Sequence, residues 1–225
     1  MESAAPNSET RVPIDVSALV ESDLPAVYEG LAPPPAEPST LAELIAIFRE
    51  ARPKDDYTLI ERAYEFAERC HTGQLRASGE PYILHPLAVA CILAGMRMDA
   101  VSVCTGLLHD VVEDTSATVA EVQKAFGDEI AHCVNGVTKL SKIEFSSAED
   151  RQAENYRKML LAMVRDVRVV LIKLADATSN LRQLAATGGL AERTVAAQEA
   201  LALFGPLANR LGVWQIKWEL EDLAL

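Results

Sequence analysis

The spacing of apolar residues predicts helices through nearly all of the chain from Ser39 onward. Apolar positions recur every three or four residues, and we find no convincing strand pattern. Prolines and glycines separate the segments: Pro53 ends the first helix, Gly127 divides two others, and Gly188-Gly189 makes a turn before the last two segments. The pattern therefore predicts an all-α fold in which helices pack on helices.

Local signals place several of the helix ends. Ser39-Thr40 offers an N-cap for the first helix, and the second opens at Asp55-Asp56-Tyr57. A loop follows at 71–82, and helix resumes at Pro86, which puts His85 at the cap before it. The remaining predictions are helices at Thr118–Phe126 and Asp128–Leu140, a charged surface connection at 144–152, and a long helix from Ala153 to Leu184 that bends or breaks near Asp166.

Residues 1–39 differ from the rest and read as a disordered, acidic, proline-rich tail. This segment holds seven of the eleven prolines, and it contains seven acidic residues but only one basic residue, Arg11. Such a composition cannot bury enough apolar surface to offset the entropy lost on ordering. We therefore expect one folded domain over residues 40–225, preceded by this tail.

Composition narrows the range of functions. Of the 225 residues, 49% are hydrophobic, and the formal net charge of -12 argues against nucleic acid or an anionic membrane as the main partner. No apolar run is long enough to cross a bilayer, and the N-terminus lacks the pattern of a signal or transit peptide. The four cysteines have no CxxC spacing, so we expect buried free thiols and a cytoplasmic protein, or a plastid one if the source is a plant.

The first candidate for chemistry is the stretch from Gly106 to Thr115. At helical spacing, His109, Asp110, Glu113 and Asp114 share one side, so an imidazole and three carboxylates crowd a patch one turn long. The repulsion among these carboxylates is unfavourable unless a bound cation or water compensates their charge. A metal site and a solvated acidic helix end are both consistent with this pattern.

A metal site would need ligands from other segments, and two are available. His85 lies at a loop-to-helix junction, where a side chain can point into a cleft. Asp176 lies in a helix so apolar that it must be largely buried, and a buried carboxylate needs a partner. That partner is either a metal ion or a neighbouring group such as Lys173.

Taken together, these residues resemble the H…HD…D signature of the HD metal-dependent phosphohydrolases: His85, then His109-Asp110, then Asp176. Longer segments are similar to the hydrolase half of the RelA/SpoT homologues, enzymes that make and degrade the alarmone (p)ppGpp. The resemblance covers roughly residues 40–225 and implies an HD-type helical bundle. The segments that carry it are HTGQLRASGEPY at 71–82, LLHDVVEDT at 107–115, GVTKL at 136–140 and WQIKWELEDL at 214–223.

The resemblance implies a specific activity and a set of residues for it. It implies a (p)ppGpp 3′-pyrophosphohydrolase of the stringent response that releases GDP or GTP and pyrophosphate and uses one Mn²⁺ ion. Glu113 and Asp114 would orient and deprotonate the attacking water or protonate the departing group. The implied metal ligands are His85, His109, Asp110 and Asp176, and the implied nucleotide-binding residues are Arg76, Ser78, Asn180 and Arg193.

One departure from the family pattern bears on activity. After the metal aspartate the family usually reads Asp-Arg-Leu-His-Asn, whereas this chain reads Asp176-Ala177-Thr178-Ser179-Asn180. Loss of a long cation beside Asp176 could loosen its orientation and lower the activity. We favour an active hydrolase because the HD ligands are present. The alternatives are a regulatory domain that binds guanine nucleotide with little turnover, and an HD phosphohydrolase of another nucleotide.

Two further expectations concern partners. No GxxxxGK[ST] or GxGxxG loop occurs, and the synthetase motifs of the family would lie beyond residue 225, so we expect no alarmone synthesis by this polypeptide. The chain stops in an amphipathic helix without a closing cap, so we expect that a following synthetase domain or a regulatory partner is absent from it.

Overall fold

The helical fold predicted from the sequence is confirmed. The computed structural model describes residues 40–141 and 165–224, and its one β-type pairing within them is an isolated antiparallel bridge between Leu75 and Pro81. The predictions for the tail at 1–39, for the connection at 144–152 and for the beginning of the long helix lie outside the described residues. The α-helices are Leu41–Ala51 (α1), Thr58–Cys70 (α2), Leu84–Gly95 (α3), Ala100–Leu108 (α4), Val111–Asp114 (α5), Val119–Phe126 (α6), Asp128–Ser141 (α7), Val167–Thr187 (α8), Leu190–Glu199 (α9), Gly205–Leu211 (α10) and Trp214–Leu223 (α11), with a π-helical turn at Ala200–Phe204 between α9 and α10.

Side-chain caps fix several helix starts. The hydroxyl of Thr40 accepts from the backbone N–H of Glu43, whose carboxylate accepts from the backbone N–H of Thr40, and Thr118 and Glu121 repeat this reciprocal pair at α6. Asp166 accepts from the backbone N–H of Arg168 and begins α8, at the position where the sequence predicts a break. Each cap satisfies backbone donors that have no partner inside the helix.

The structure differs from the predicted elements in three places. Helix α3 begins at Leu84, two residues before Pro86, so His85 lies inside its first turn and not at a cap. Helix α4 ends at Leu108, and His109 and Asp110 form a turn before the short helix α5. The final part of the chain holds a π-helical turn and three α-helices in place of the two predicted segments.

Two buried helices organise the fold around two hydrophobic cores. Helix α3 is buried on all sides over most of its length and contacts α1, α4 and α8. Helix α8 belongs to both cores: Val169 and Ile172 pack with α1–α7, whereas Val170 and Leu174 pack with α10, α11 and the π-helical turn. Because the first half of α8 is covered on both sides, residues 169–175 form an almost continuous apolar run, interrupted only by Lys173.

Gly106 allows α3 and α4 to approach each other closely. A Cβ atom at this position would lie 2.7 Å from Leu93 Cδ1 and 3.3 Å from the backbone Cα of Ala90. A methyl group here would require the Leu93 side chain and the backbone of α3 to shift, so glycine lets the C-terminal end of α4 lie close against α3. This packing brings His109, three residues after Gly106, close to His85 in the first turn of α3.

Two composition-based expectations can be compared with the described residues. No helix among them has the length and apolar character needed to cross a bilayer. All four cysteines have free thiols, and three of them, Cys91, Cys104 and Cys133, are buried.

Candidate metal centre

His109 is buried at the end of α4, with one ring nitrogen turned towards carboxylates. Its Nδ1 lies 2.8 Å from the backbone carbonyl oxygen of Gly106, which can only accept, so Nδ1 carries the hydrogen. In the neutral ring Nε2 then presents a lone pair, and this buried atom has no partner in hydrogen-bonding geometry among the described residues. The side chain is 2% exposed, so a solvated acidic helix end does not describe this residue.

His85 approaches the same point from the first turn of α3. Its Nε2 lies 3.2 Å from Asp176 Oδ1 and 3.5 Å from Asp110 Oδ2. On the other side of the ring, Nδ1 lies 3.2 Å from the hydroxyl oxygen of Ser179. The imidazole is therefore held between the hydroxyl of Ser179 on one side and the carboxylates of Asp176 and Asp110 on the other.

Asp176 comes from α8 and uses its two carboxylate oxygens differently. Oδ2 accepts from Lys173 Nζ at 2.7 Å, whereas Oδ1 faces His85 and accepts from Asn180 Nδ2 at 2.7 Å. Burial raises the pKa of this carboxyl, but the charge of Lys173 and the interactions with the two histidines hold the pKa well below its usual value. Asp176 is therefore an anion at neutral pH, although it is almost fully buried.

These three side chains form a group that fits a divalent cation. His85, His109 and Asp176 each offer one ligand atom, and the three atoms lie within 4.8 Å of one another. The buried Nε2 of His109, which no donor satisfies, is the kind of atom that a metal ion completes. Asp110 lies alongside, with Oδ1 3.1 Å from His109 Nε2. The structure thus brings all four predicted ligands together.

The carboxylates favour positive charge at this point. Burial alone lowers the pKa of His109, but the carboxylates of Asp110 and Asp176 outweigh it and raise the pKa to about 9. For His85, burial dominates and lowers the pKa. A proton on one imidazole therefore partly balances the negative charge that a dication would balance in full.

The predicted acid–base pair lies in α5, at the open edge of this group. Glu113 is half-buried and Asp114 is exposed. The hydroxyl of Tyr82 lies 2.5 Å from Asp114 Oδ2 and 3.0 Å from Asp110 Oδ2, so it connects Asp114 with the ligand group. Tyr82 is also stacked on His71, with ring centroids 4.6 Å apart.

The loop at 71–83 bonds to α8 through residues predicted to bind the nucleotide. Arg76 Nη2 donates to Asn180 Oδ1 at 2.8 Å, and Asn180 in turn donates to Asp176. One turn further along α8, Gln183 donates to the hydroxyl of Ser78 at 3.2 Å. Arg193 lies on α9, where its side chain is exposed. Arg76 and Asn180 are therefore connected to the metal centre through Asp176, whereas Ser78 lies further along α8, beside Gln183.

Three residues at the site were not predicted from the sequence: Tyr82, Ser179 and Gln183. Each makes its contact across a large sequence separation, so helical periodicity gives no signal for it. Tyr82 belongs to the segment that carries the resemblance at 71–82, which could have marked it. Ser179 stands where the family pattern has histidine, and nothing in the sequence indicates that it contacts His85.

Comparison with known proteins identifies the fold around this site. The family model described as HD domain matches residues 63–214, which is more than half of the chain and includes His85, His109, Asp110 and Asp176. This chain belongs to the HD domain family. The matched region holds the two histidines and two aspartates, which lie in three separate segments and meet at one buried point.

Relatives of this HD domain include proteins of alarmone metabolism. It is 52% identical over 175 residues to a GTP pyrophosphokinase of Myxococcus xanthus, and 50% identical over 171 residues to the bifunctional (p)ppGpp synthase/hydrolase SpoT of Escherichia coli; each match covers 76% of the chain. The chain spans only 23% and 24% of the length of these two relatives. The resemblance to the RelA/SpoT homologues is confirmed.

A solved structure supports the same assignment. A metazoan orthologue of SpoT, described as hydrolysing ppGpp and playing a role in starvation responses, superimposes with a TM-score of 0.56 at 29% identity. The match covers 75% of this chain and 94% of that one.

Proposed function

We propose that this HD domain hydrolyses ppGpp and pppGpp at the 3′ position, releasing pyrophosphate and GDP or GTP. The observation that carries the proposal is the convergence of two imidazoles and a buried aspartate within 4.8 Å, beside a Glu-Asp pair and an arginine-bearing loop. The similarity to the SpoT protein of Escherichia coli and to the metazoan orthologue supports ppGpp as the substrate.

His85, His109, Asp110 and Asp176 are the proposed ligands of one Mn²⁺ ion. Mixed imidazole and carboxylate donors suit a divalent ion of this kind. When bound, the ion would lower the pKa of a water molecule and polarise the phosphoryl group. The hydrogen bond from His109 Nδ1 to Gly106 and the ion pair between Asp176 and Lys173 orient their side chains for this role.

Glu113 and Asp114 are the proposed acid–base groups. In the reaction a water oxygen bonds to the phosphorus attached to O3′, the bond from that phosphorus to O3′ breaks, and pyrophosphate leaves. One carboxylate takes a proton from the water, and O3′ receives a proton in return. Both residues lie in α5, directly after Asp110, so the same turn of chain positions a ligand and the acid–base pair.

The nucleotide is proposed to lie between the 71–83 loop and α8. Arg76 and Ser78 hydrogen-bond there to Asn180 and Gln183, so a nucleotide would exchange these contacts for its own. The guanidinium of Arg76 can pair with phosphate or stack on the base. Arg193, on the exposed face of α9, is proposed to contact the nucleotide from the other side.

A regulatory domain with little turnover is the alternative suggested by the altered segment at 177–179. The geometry gives it little support, because Lys173 supplies a cation at 2.7 Å from Asp176 and Ser179 contacts His85. Both metal-centre side chains next to the altered segment thus keep a hydrogen-bonding partner. The active hydrolase remains our proposal.

The test is to incubate the purified chain with ppGpp and Mn²⁺ and to measure pyrophosphate and GDP by anion-exchange chromatography. We expect release that a chelator abolishes and that His109→Ala lacks. A folded chain that binds Mn²⁺ and ppGpp but releases no pyrophosphate would exclude the hydrolase and leave the regulatory domain. Release from dNTPs but not from ppGpp would indicate a hydrolase of another nucleotide.

A further inference from the structure

The two histidines of the metal centre have different partners for Nδ1. Nδ1 of His109 faces the backbone carbonyl oxygen of Gly106 at 2.8 Å, whereas Nδ1 of His85 faces the side-chain hydroxyl of Ser179 at 3.2 Å. Both contacts are buried. Ser179 is 2% exposed and His85 is 4% exposed, so water cannot readily replace the hydroxyl of Ser179 beside His85. The orientation of His85 thus depends on a side chain that mutation can remove.

The chemistry of the two partners also differs. A carbonyl oxygen only accepts, so His109 keeps its hydrogen on Nδ1 whether or not a metal is bound. A hydroxyl can donate or accept, so the contact between Ser179 and His85 is compatible with either neutral tautomer of the ring. When the hydrogen is on Nε2, that atom can donate to Asp176 Oδ1, which lies 3.2 Å away.

We propose that Ser179 is a positioning residue for the metal centre, whose hydroxyl accepts a hydrogen bond from Nδ1 of His85 when Nε2 binds the metal. This inference rests on the proposed role of His85 as a ligand. A ligating imidazole must present its lone pair at Nε2 and therefore carries its hydrogen on Nδ1. Ser179 provides the acceptor within hydrogen-bond distance of that hydrogen.

Removal of the hydroxyl should therefore affect the metal-bound state more than the metal-free state. In Ser179→Ala with metal bound, the Nδ1–H of His85 would be buried without an acceptor, which is an unfavourable state. Without metal, the ring can move its hydrogen to Nε2 and donate to Asp176. We expect a loss of metal affinity with little change in the stability of the metal-free protein.

The experiment compares Ser179→Ala with Thr178→Val, a matched control in the same helix. Thr178 is fully buried, and its hydroxyl donates to the backbone carbonyl of Leu174 at 2.8 Å. Thr178→Val therefore removes a buried hydroxyl from the residue adjacent to Ser179 without removing the contact between Ser179 and His85. The dissociation constant for Mn²⁺ is measured from the electron paramagnetic resonance signal of free Mn²⁺, and thermal unfolding is followed by circular dichroism without metal.

We expect Ser179→Ala to raise the dissociation constant for Mn²⁺ about tenfold, the scale at which partners of metal ligands act. Thr178→Val should leave it unchanged, and the metal-free melting temperature of Ser179→Ala should stay close to that of the unaltered chain. Equal Mn²⁺ affinity in Ser179→Ala and the unaltered chain would overturn the inference. An equal loss of affinity in both variants would also overturn it, because the effect would then belong to the helix.

A second variant keeps the test valid if Ser179→Ala does not fold. Ser179→Cys nearly retains the side-chain volume but replaces the hydroxyl with a thiol, whose sulfur is a weak acceptor. It should also weaken Mn²⁺ binding, and unchanged affinity would count against the inference. If the unaltered, folded chain binds no Mn²⁺, the proposed metal-dependent function fails together with the inference. If it binds Mn²⁺ and all variants bind equally, only the role of Ser179 fails.

Discussion

The hydroxyl of Tyr82 joins Asp110, a proposed metal ligand, to Asp114 of the proposed acid–base pair. It lies 3.0 Å from Asp110 Oδ2 and 2.5 Å from Asp114 Oδ2. Burial and the charge of Asp110 raise the pKa of Tyr82, so the hydroxyl carries its proton at neutral pH. We predict that Tyr82→Phe, which removes only this hydroxyl, slows hydrolysis of ppGpp.

The expected loss of rate in Tyr82→Phe follows from the solvent exposure of Asp110 and Asp114. A hydrogen bond to a charged group contributes about 1.5–3 kcal/mol. The lower end applies, because Asp114 is exposed and 16% of the Asp110 side chain is accessible, so water can replace the lost partner. A loss of about 1.5 kcal/mol in the transition state corresponds to a rate lower by roughly tenfold.

The assay measures initial rates of pyrophosphate release at saturating Mn²⁺ and ppGpp. Tyr64→Phe is the matched control, because the Tyr64 hydroxyl donates to the carboxylate of Glu68, 3.2 Å away within α2 and outside the site. In Tyr82→Phe the phenyl ring remains able to stack on His71, so the fold should be retained. An unchanged rate in folded Tyr82→Phe, or an equal loss in Tyr64→Phe, would refute the reasoning.

Three further predictions concern the reaction, the packing and the response to acid. Glu113→Gln should still bind Mn²⁺ but should hydrolyse ppGpp about 10²- to 10⁴-fold more slowly, as measured by pyrophosphate release; a full rate would exclude its acid–base role. Gly106→Ala should lower the free energy of unfolding in urea by about 1–3 kcal/mol because α3 leaves no room for a methyl group, whereas Gly95→Ala, with open space around it, should not. Hydrogen bonds from Arg168 lower the pKa of Asp166. The carboxylate therefore stabilises the fold above the ordinary aspartate pKa of about 3.9, and this contribution is lost as the pH falls through the lower pKa of the folded state. The difference in free energy of unfolding between the unaltered chain and Asp166→Asn should therefore be smaller below about pH 4 than at neutral pH.

The sequence predicts the parts of the fold that depend on local signals. The capping residue Thr40 and the break at Gly127 act through nearby backbone groups, so their effects can be recognised from a few neighbouring residues. The burial of α8 follows from its apolar run, and the burial of Asp176 follows from its place in that run. The family resemblance adds His85 and His109, which periodicity alone would not connect, and the structure places them side by side.

Contacts between distant segments could not be predicted in the same way. Gln183 and Ser78 are 105 residues apart, and their hydrogen bond exists because the 71–83 loop lies against α8. Helix α11 shows the same limit of prediction from sequence. The sequence predicts an amphipathic helix but does not show which apolar residues are buried. In the structure Ile216 and Leu220 face the core, whereas Trp214 and Trp218 are more than half exposed. Which side of such a helix is buried depends on the neighbouring helices and not on the helix alone.

Asp176 illustrates why the sequence left two explanations open. An ion pair with Lys173 and a place in a metal centre were alternatives for one buried carboxylate, but the geometry accommodates both, because Oδ2 meets Lys173 while Oδ1 faces the histidines. Burial lowers the pKa of Lys173, but the charges of Asp176, Asp110 and Glu113 outweigh this effect and raise the pKa. One ammonium group therefore interacts with several carboxylates. Lys173, even together with a proton on His109, leaves that group with an excess of negative charge. A dication at the histidines would remove most of this excess, and it would do so at the point where the lone pairs already converge.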